Sequence, residues 1–214
     1  MIINEERSSD YLNKSQLIEM ANVMSSAFVN HSNFVYTISS TKRRKKALNN
    51  IFLMMYKIIN IYGFTYLVYE REEIIGYITF MDSSDKAQIS FKRILKTRGL
   101  FLVLKFFLSL RFSEIKKLIV YIKTYDKYQA TEEKAYKIHL YSTGVKSSFK
   151  GKGLMGKAIR NTYQYFKDLG YKEMVLETAD PINIPIYNKL GFKTVENRST
   201  PDNKQTICFM SMPL

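Results

Sequence analysis

"KIHLYSTGVKSSFKGKGLMGKA", residues 137–158, sets an apolar run, a glycine-rich turn and the start of a helical pattern in direct succession. The β-branched and aromatic residues of Lys137 to Val145 predict a strand. Apolar residues then recur at helical spacing from Leu154 to Leu169, and Gly170 stands where that helix should end. A strand, a glycine turn and a helix start together make a phosphate site. The first N–H groups of the helix have no partner, its dipole is positive there, and glycines let an anion approach the main chain. Counted from Gly151, the turn reads Gly, four residues, Gly156, Lys157, Ala158, a nucleotide P-loop with its last position replaced. Ala158 has no hydroxyl to hold Mg²⁺, and Glu177 is a poor stand-in for the acid that shares the ion, so the ATP reading is set aside.

Downstream, "KEMVLET" (172–178) is a strand, "NIPIYNKL" (183–190) a short helix closed by Gly191, and "FKTVENR" and "QTICFMSM" two further strands. Upstream, the first few residues read as a short strand and 15–28 as a helix. A second helix runs from the basic stretch at Thr41 to Gly63, and "FTYLVYE" and "IIGYITFMD" form a hairpin around "REE". This order, with one β-α-β unit at its centre, predicts an α/β (α+β) fold: a mixed central sheet flanked by helices. Residues 1–214 read as a single domain, with a helical insertion at about 86–131 before the fourth strand. There is no repeat or Pro/Gly-rich linker, and the four prolines all fall from residue 181 onward.

Hydrophobic residues make up 46 % of the chain, with 16 Tyr and 14 Phe, enough to build a core and to exclude a disordered chain. One cysteine, Cys208, excludes an intrachain disulfide framework. With no basic, apolar leader at the start, it points to a cytoplasmic protein. His31 and His139 stand too far apart in sequence to suggest a zinc cluster, so no metal is expected. The net charge of +14 is uneven: Lys42 to Lys46 are all basic, and residues 86–130 hold only Glu114 and Asp126 as acids. Such an excess favours nucleic acid, an anionic surface or a phosphate-rich cofactor. No nucleic-acid-binding module is recognisable, which disfavours the first. "GLFLVLKFFLSL" (99–110) is too short to span a membrane and reads as a buried helix or pocket wall. Arg98, Lys105 and Arg111 beside its apolar face leave an in-plane surface helix open.

Twenty residues past the glycine turn comes "LETADPINIPIYNKLGF" (176–192). With that turn, it resembles the GCN5-related N-acetyltransferase (GNAT) superfamily, most closely its puromycin N-acetyltransferase-like members. The resemblance covers about residues 137–195 and implies acetyl-CoA as cosubstrate. It places Lys150, Gly151, Lys152, Gly153, Leu154 and Met155 in the pyrophosphate turn, with the family's last glycine displaced to Gly156. It implies that the pantetheine arm lies along the backbone from Tyr141 to Val145, that Asn183 binds that arm, and that Tyr187 protonates the coenzyme sulfur. Asn183 is equally suited to capping its helix. Glu177 is the expected general base, with His139 or a water chain as rivals, and His139 is expected on the opposite side of the sheet.

The implied activity is direct acetyl transfer, within a ternary complex, to an amine of a small molecule. The insertion would shape the acceptor pocket, with Leu100, Phe101, Leu104, Phe107 and Leu108 lining or packing it. A non-catalytic CoA-binding or basic nucleic-acid-binding module is the alternative, and an oligomer is left open.

Overall fold

The computed structural model describes residues 3–7, 11–70, 72–84, 89–129 and 136–214, with the backbone alone for 3–7 and 126–129. The two ends of the predicted insertion lie outside the described residues.

Among the described residues, seven strands form one sheet in the order β1-β2-β3-β4-β5-β7-β6. They are β1 Ile3–Arg7, β2 Phe64–Glu70, β3 Glu73–Asp82, β4 Lys137–Val145, β5 Glu173–Thr178, β6 Lys193–Ser199 and β7 Thr206–Pro213. Every neighbouring pair is antiparallel except β4 and β5. These two are parallel because the connection between them is a helical crossover.

The helices are α1 Lys14–Phe28, α2 Ser32–Thr37, α3 Thr41–Tyr62, α4 Phe91–Lys96, α5 Leu100–Leu108, α6 Phe112–Gln129, α7 Leu154–Asp168 and α8 Ile184–Lys189. The sequence reading recovers these elements except α2, whose six residues are too few to show a helical period, and α4 and α6, which it gives only as parts of a helical insertion.

Each face of the sheet has its own core. On one, Ile138, Leu140, Met174 and Leu176 pack with Ile159 and Phe166 of α7. On the other, Tyr77 and Met81 pack against Met20 and Met24 of α1 and Phe52 and Tyr56 of α3. Helix α6 extends this second layer over β7, where Tyr121 and Tyr125 cover Ile207 and Phe209.

The insertion is pinned from below. Glu114 of α6 is buried and takes the Arg43 guanidinium on both oxygens, while the N–H groups of Ser39 and Arg111 donate to the same carboxylate. Helix α5 rests on α3 through Phe106, which packs with Ala47 and Ile38.

Two irregularities position the site. The β4–β5 ladder runs only from the pair Lys137–Glu173 to the pair His139–Val175, and the strands part beyond it. Beside the parting, β4 carries a bulge. Thr79 pairs with Ser142 and Phe80 with Leu140, so Tyr141 is an extra residue on β4. A bulge bends its strand and re-aims the side chain it carries.

Candidate active site

Period-two alternation along β5 sends Met174 and Leu176 into the α7 core and Glu177 to the opposite face. There His139 Nε2 lies 2.7 Å from Glu177 Oε2. The imidazole is buried, while the carboxylate is partly open. The two rivals for one role therefore share one face and one hydrogen bond, which corrects the expectation that His139 turns away.

Three phenols feel the charge of this carboxylate. Tyr141, on the bulge, meets the His139 ring at 5.3 Å between centroids. Tyr121 comes from α6 and Tyr187 from α8. Burial pushes all three hydroxyls above the ordinary tyrosine value, and the Glu177 charge pushes them further. Tyr187 rises to about 12. A phenol in that range keeps its proton at neutral pH and is therefore a donor.

Helix α8 begins after a short 3₁₀ turn, Pro181–Asn183. Asn183 does not cap it: the side-chain amide donates instead to Thr178 Oγ1 at 3.3 Å, tying α8 to the end of β5. Tyr187 packs its ring edge-on to Phe192, with 5.8 Å between centroids.

The glycine turn lies between Val145 and α7. Gly151 and Gly153 have φ of +81° and +72°, a conformation that L side chains rarely adopt, and a Cβ at either would meet open space. The first bond of the helix runs from Lys157 N–H to Gly153 O at 3.2 Å. The N–H groups of Leu154, Met155 and Gly156 thus lie at the positive end of the α7 dipole.

Lys150, Lys152 and Lys157 are exposed around the turn, and Lys152 sits 4.8 Å over the Phe149 ring. The Met155 side chain packs into the core, and a Cβ on Gly156 would lie 3.4 Å from Leu190, so both offer the turn their main chain. Gly156 lies inside α7 rather than at its mouth.

The cradle fits a diphosphate. The edge of β4 from Leu140 to Val145, paired to β3 and, among the described residues, without a ladder partner on the β5 side, fits an extended amide-bearing arm.

A second wall, which the sequence reading missed, comes from α2 and α6. Asn33 Oδ1 accepts from His31 Nδ1 at 2.7 Å, and its Nδ2 donates to the Tyr121 hydroxyl at 3.4 Å. His31 is pushed below its ordinary value by burial, against the opposing pull of Asn33 and the Asp180 carboxylate. Ser32 donates to the Ala179 carbonyl, and Gln205 Nε2 donates to the same oxygen at 2.7 Å. These bonds tie α2 to the end of β5. From the insertion, it is Tyr121 of α6 that reaches Glu177 electrostatically. Leu100, Phe101, Leu104, Phe107 and Leu108 of α5 are exposed, with Leu108 at 86 %.

The family model described as "Acetyltransferase (GNAT) family" matches residues 39–192. No curated protein sequence matches the chain. Among solved structures, the chain resembles a histone acetyltransferase HPA2 and related acetyltransferase from Corynebacterium glutamicum at 19 % identity and TM-score 0.62, covering 100 % of this chain and 98 % of that one. It also resembles the PaiA N-acetyltransferase of Thermoplasma acidophilum in complex with coenzyme A, at 13 % identity and TM-score 0.55, with both chains fully covered. A third is the ribosomal-protein-S18-alanine N-acetyltransferase of Escherichia coli, at 10 % identity and TM-score 0.54, covering 99 % and 94 %. At such identities the likeness speaks for the fold. The family match, which spans well over half of the residues and includes the glycine turn and the whole strip from Leu176 to Phe192, shows that the chain belongs to the GNAT acetyltransferase family.

Proposed function

We propose that this chain is an acetyl-CoA-dependent N-acetyltransferase that acylates an amine of a small molecule by direct transfer in a ternary complex. The observation that carries the reading is the His139–Glu177 pair at the parting of β4 and β5, with the raised phenol of Tyr187 under the influence of the same carboxylate. Acetyl-CoA, when bound, supplies the activated acetyl group. The N–H groups from Gly151 to Gly156 would hold its diphosphate, with Lys150, Lys152 and Lys157 supplying charge. Val145 and its neighbours on β4, together with Asn183, would hold the arm.

An amine must be neutral to attack. The bound ammonium first gives one proton to solvent; as the nitrogen bonds to the acetyl carbon and the carbon–sulfur bond breaks, Glu177, oriented by His139, takes the second proton that the nitrogen sheds. Tyr187 gives its own proton to the departing sulfur, and its high pKa lets it recover one from solvent. Asn33, Tyr121 and Asp180 form the acceptor side. The two carboxylates nearby, Glu177 and Asp180, suit a single cationic amine.

The small-molecule assignment rests on the likeness of residues 176–192 to puromycin-type members. The same reading takes 1–214 as one cytoplasmic acetyltransferase domain, supported by the continuity of the sheet from β1 to β7. Thiol release from acetyl-CoA with a panel of aminonucleosides, polyamines and short peptides tests it. Aminonucleoside-dependent release supports the reading. Release with peptides alone moves the acceptor to proteins, and no release with any amine removes the enzyme assignment.

A further inference from the structure

Helix α5, LFLVLKFFL, is apolar at every position but Lys105, and its outer face is bare. Leu100, Phe101, Leu104 and Leu108 recur at one-turn spacing and are 41, 63, 53 and 86 % exposed. Phe112, at the start of α6, is 73 % exposed. A contiguous run of large apolar side chains on a surface helix costs solubility unless something covers it.

Charge selects the occupant. From Ser90 to Tyr125 the only acid is Glu114, and that carboxylate is buried and consumed by Arg43. Lysines, by contrast, are woven into the apolar face. Lys105 Nζ lies 4.4 Å over the Phe101 ring, and Lys116 Nζ lies 4.8 Å over Phe112. Arg98 and Arg111 stand at the two ends of α5. Among the described residues no helix is long and apolar enough to cross a membrane.

Aromatic and leucine side chains on one face of a short helix, with basic residues positioned to reach outward along their flexible stems, match the interface of an anionic bilayer. The apolar tips enter the acyl boundary while the ammonium and guanidinium groups meet phosphates. We propose that α5 and the first turn of α6 dock this protein, in plane, on an anionic lipid surface.

The test is vesicle co-sedimentation of the full chain. Vesicles of phosphatidylcholine with about 30 mol % phosphatidylglycerol are compared with pure phosphatidylcholine. The chain should sediment with the anionic vesicles and be released in part at about 0.5 M salt, where surface attraction is screened. Leu104→Asp/Leu108→Asp should reduce the bound fraction at least ~10-fold by removing apolar insertion. Lys105→Glu/Arg111→Glu should abolish the preference for anionic over neutral vesicles. Both pairs are on the surface and should leave the thermal midpoint and acetyl-CoA affinity unchanged, which separates this test from that of the proposed activity. Equal sedimentation with neutral vesicles, or none with either, overturns the proposal. Binding that survives the two aspartates assigns the surface to charge alone and overturns it too. A wild-type dimer in dilute solution that Leu104→Asp/Leu108→Asp dissociates makes a second copy the occupant instead.

Discussion

His139 and Glu177 meet at 2.7 Å where the parallel β4–β5 ladder ends. The last registered pair is His139 with Val175, so the carboxylate two residues further along β5 sits at the first point where the strands have separated. A general base is useful only where substrate can reach it and water is limited. The base proposed here has a buried ring behind a partly open carboxylate.

Replacing Glu177 with Gln keeps a hydrogen-bonding group beside His139 and removes the charge. We expect the folded state to persist and turnover to fall ~10²-fold, the scale of losing a positioned base. Tyr187 should respond as well. Its hydroxyl is raised to about 12 first by burial and then by Glu177, so the variant should bring its pKa down while leaving it above the ordinary value. Tyrosine ¹³Cζ NMR titration reads this directly. An unmoved Tyr187 signal would mean that the carboxylate and the phenol do not share a site.

Tyr187→Phe removes the proposed proton donor and little else, because the ring still packs against Phe192. Turnover should drop ~10- to 10²-fold while acetyl-CoA affinity stays nearly constant. The wild-type pH profile carries the sign. A phenol at about 12 remains protonated across neutral and moderately alkaline solution, so no alkaline loss from this group should appear until the pH nears that value. Stopped-flow thiol release over a pH series checks it, and equal losses of turnover and affinity in the variant contradict the assigned role.

Gly153→Ala places a Cβ at φ +72°, where only glycine is at ease, and points it into the open space of the turn. The backbone penalty is about 1–2 kcal/mol, visible as a lowered thermal midpoint. Affinity for acetyl-CoA should fall beyond that, because the methyl group occupies the approach to the main-chain N–H groups. Calorimetric titration distinguishes the two effects. Gly156→Ala is the contrast: it lies inside α7, meets Leu190 at an ordinary 3.4 Å, and should bind normally.

The strip from Leu176 to Phe192 is legible in the chain because β5, the 3₁₀ turn and α8 are consecutive and their side chains act within a few residues of each other. The glycine turn is legible for the same reason. What alternation and helical spacing do not carry is register. Nothing in "KIHLYSTGV" announces that Tyr141 is a bulge, since a bulge is defined by the strand opposite. His139 and Glu177 are 38 positions apart, and Asn33 and Tyr121 are 88 apart. Their meeting depends on how the sheet closes and on where α6 folds back over β7. The α5 stretch reads as a buried helix or a pocket wall, with an in-plane surface helix left open, because hydrophobicity and flanking charge do not say which face of a helix meets the protein.

Tyr121→Phe separates the acceptor wall from the chemistry. It deletes the hydroxyl that receives the Asn33 amide at 3.4 Å and leaves β4, α7 and α8 untouched. The KM for the acceptor amine should rise ~10-fold, the cost of one unmet buried polar contact, while the dissociation constant of acetyl-CoA is unchanged. Asn33→Ala should raise the same KM at least as far, because it removes the His31 bond as well as the Tyr121 bond, and adding Tyr121→Phe to it should change little, since their shared bond is already gone. Additive losses would place them in separate functions.

Glu114 tests the anchor that sets α6, and so Tyr121, in place. Burial alone would raise its pKa, but the Arg43 guanidinium and the N–H groups of Arg111 and Ser39 overcome this and hold it at about 2 against an ordinary 4.5. A lowered carboxyl contributes stability that is complete above its unfolded value and is lost as the pH falls through the folded one. The fold should therefore lose on the order of 3 kcal/mol between pH 5 and 2 through this group. Glu114→Gln should flatten that part of the acid profile, because the variant has nothing left to titrate there. It should also cost ~3 kcal/mol at neutral pH, since Arg43 loses the charge it is paired with. Urea unfolding at a series of pH values measures both slopes. If the wild type and Glu114→Gln run parallel from pH 5 to 2, the Arg43–Glu114 pair is not what fastens the insertion to α3.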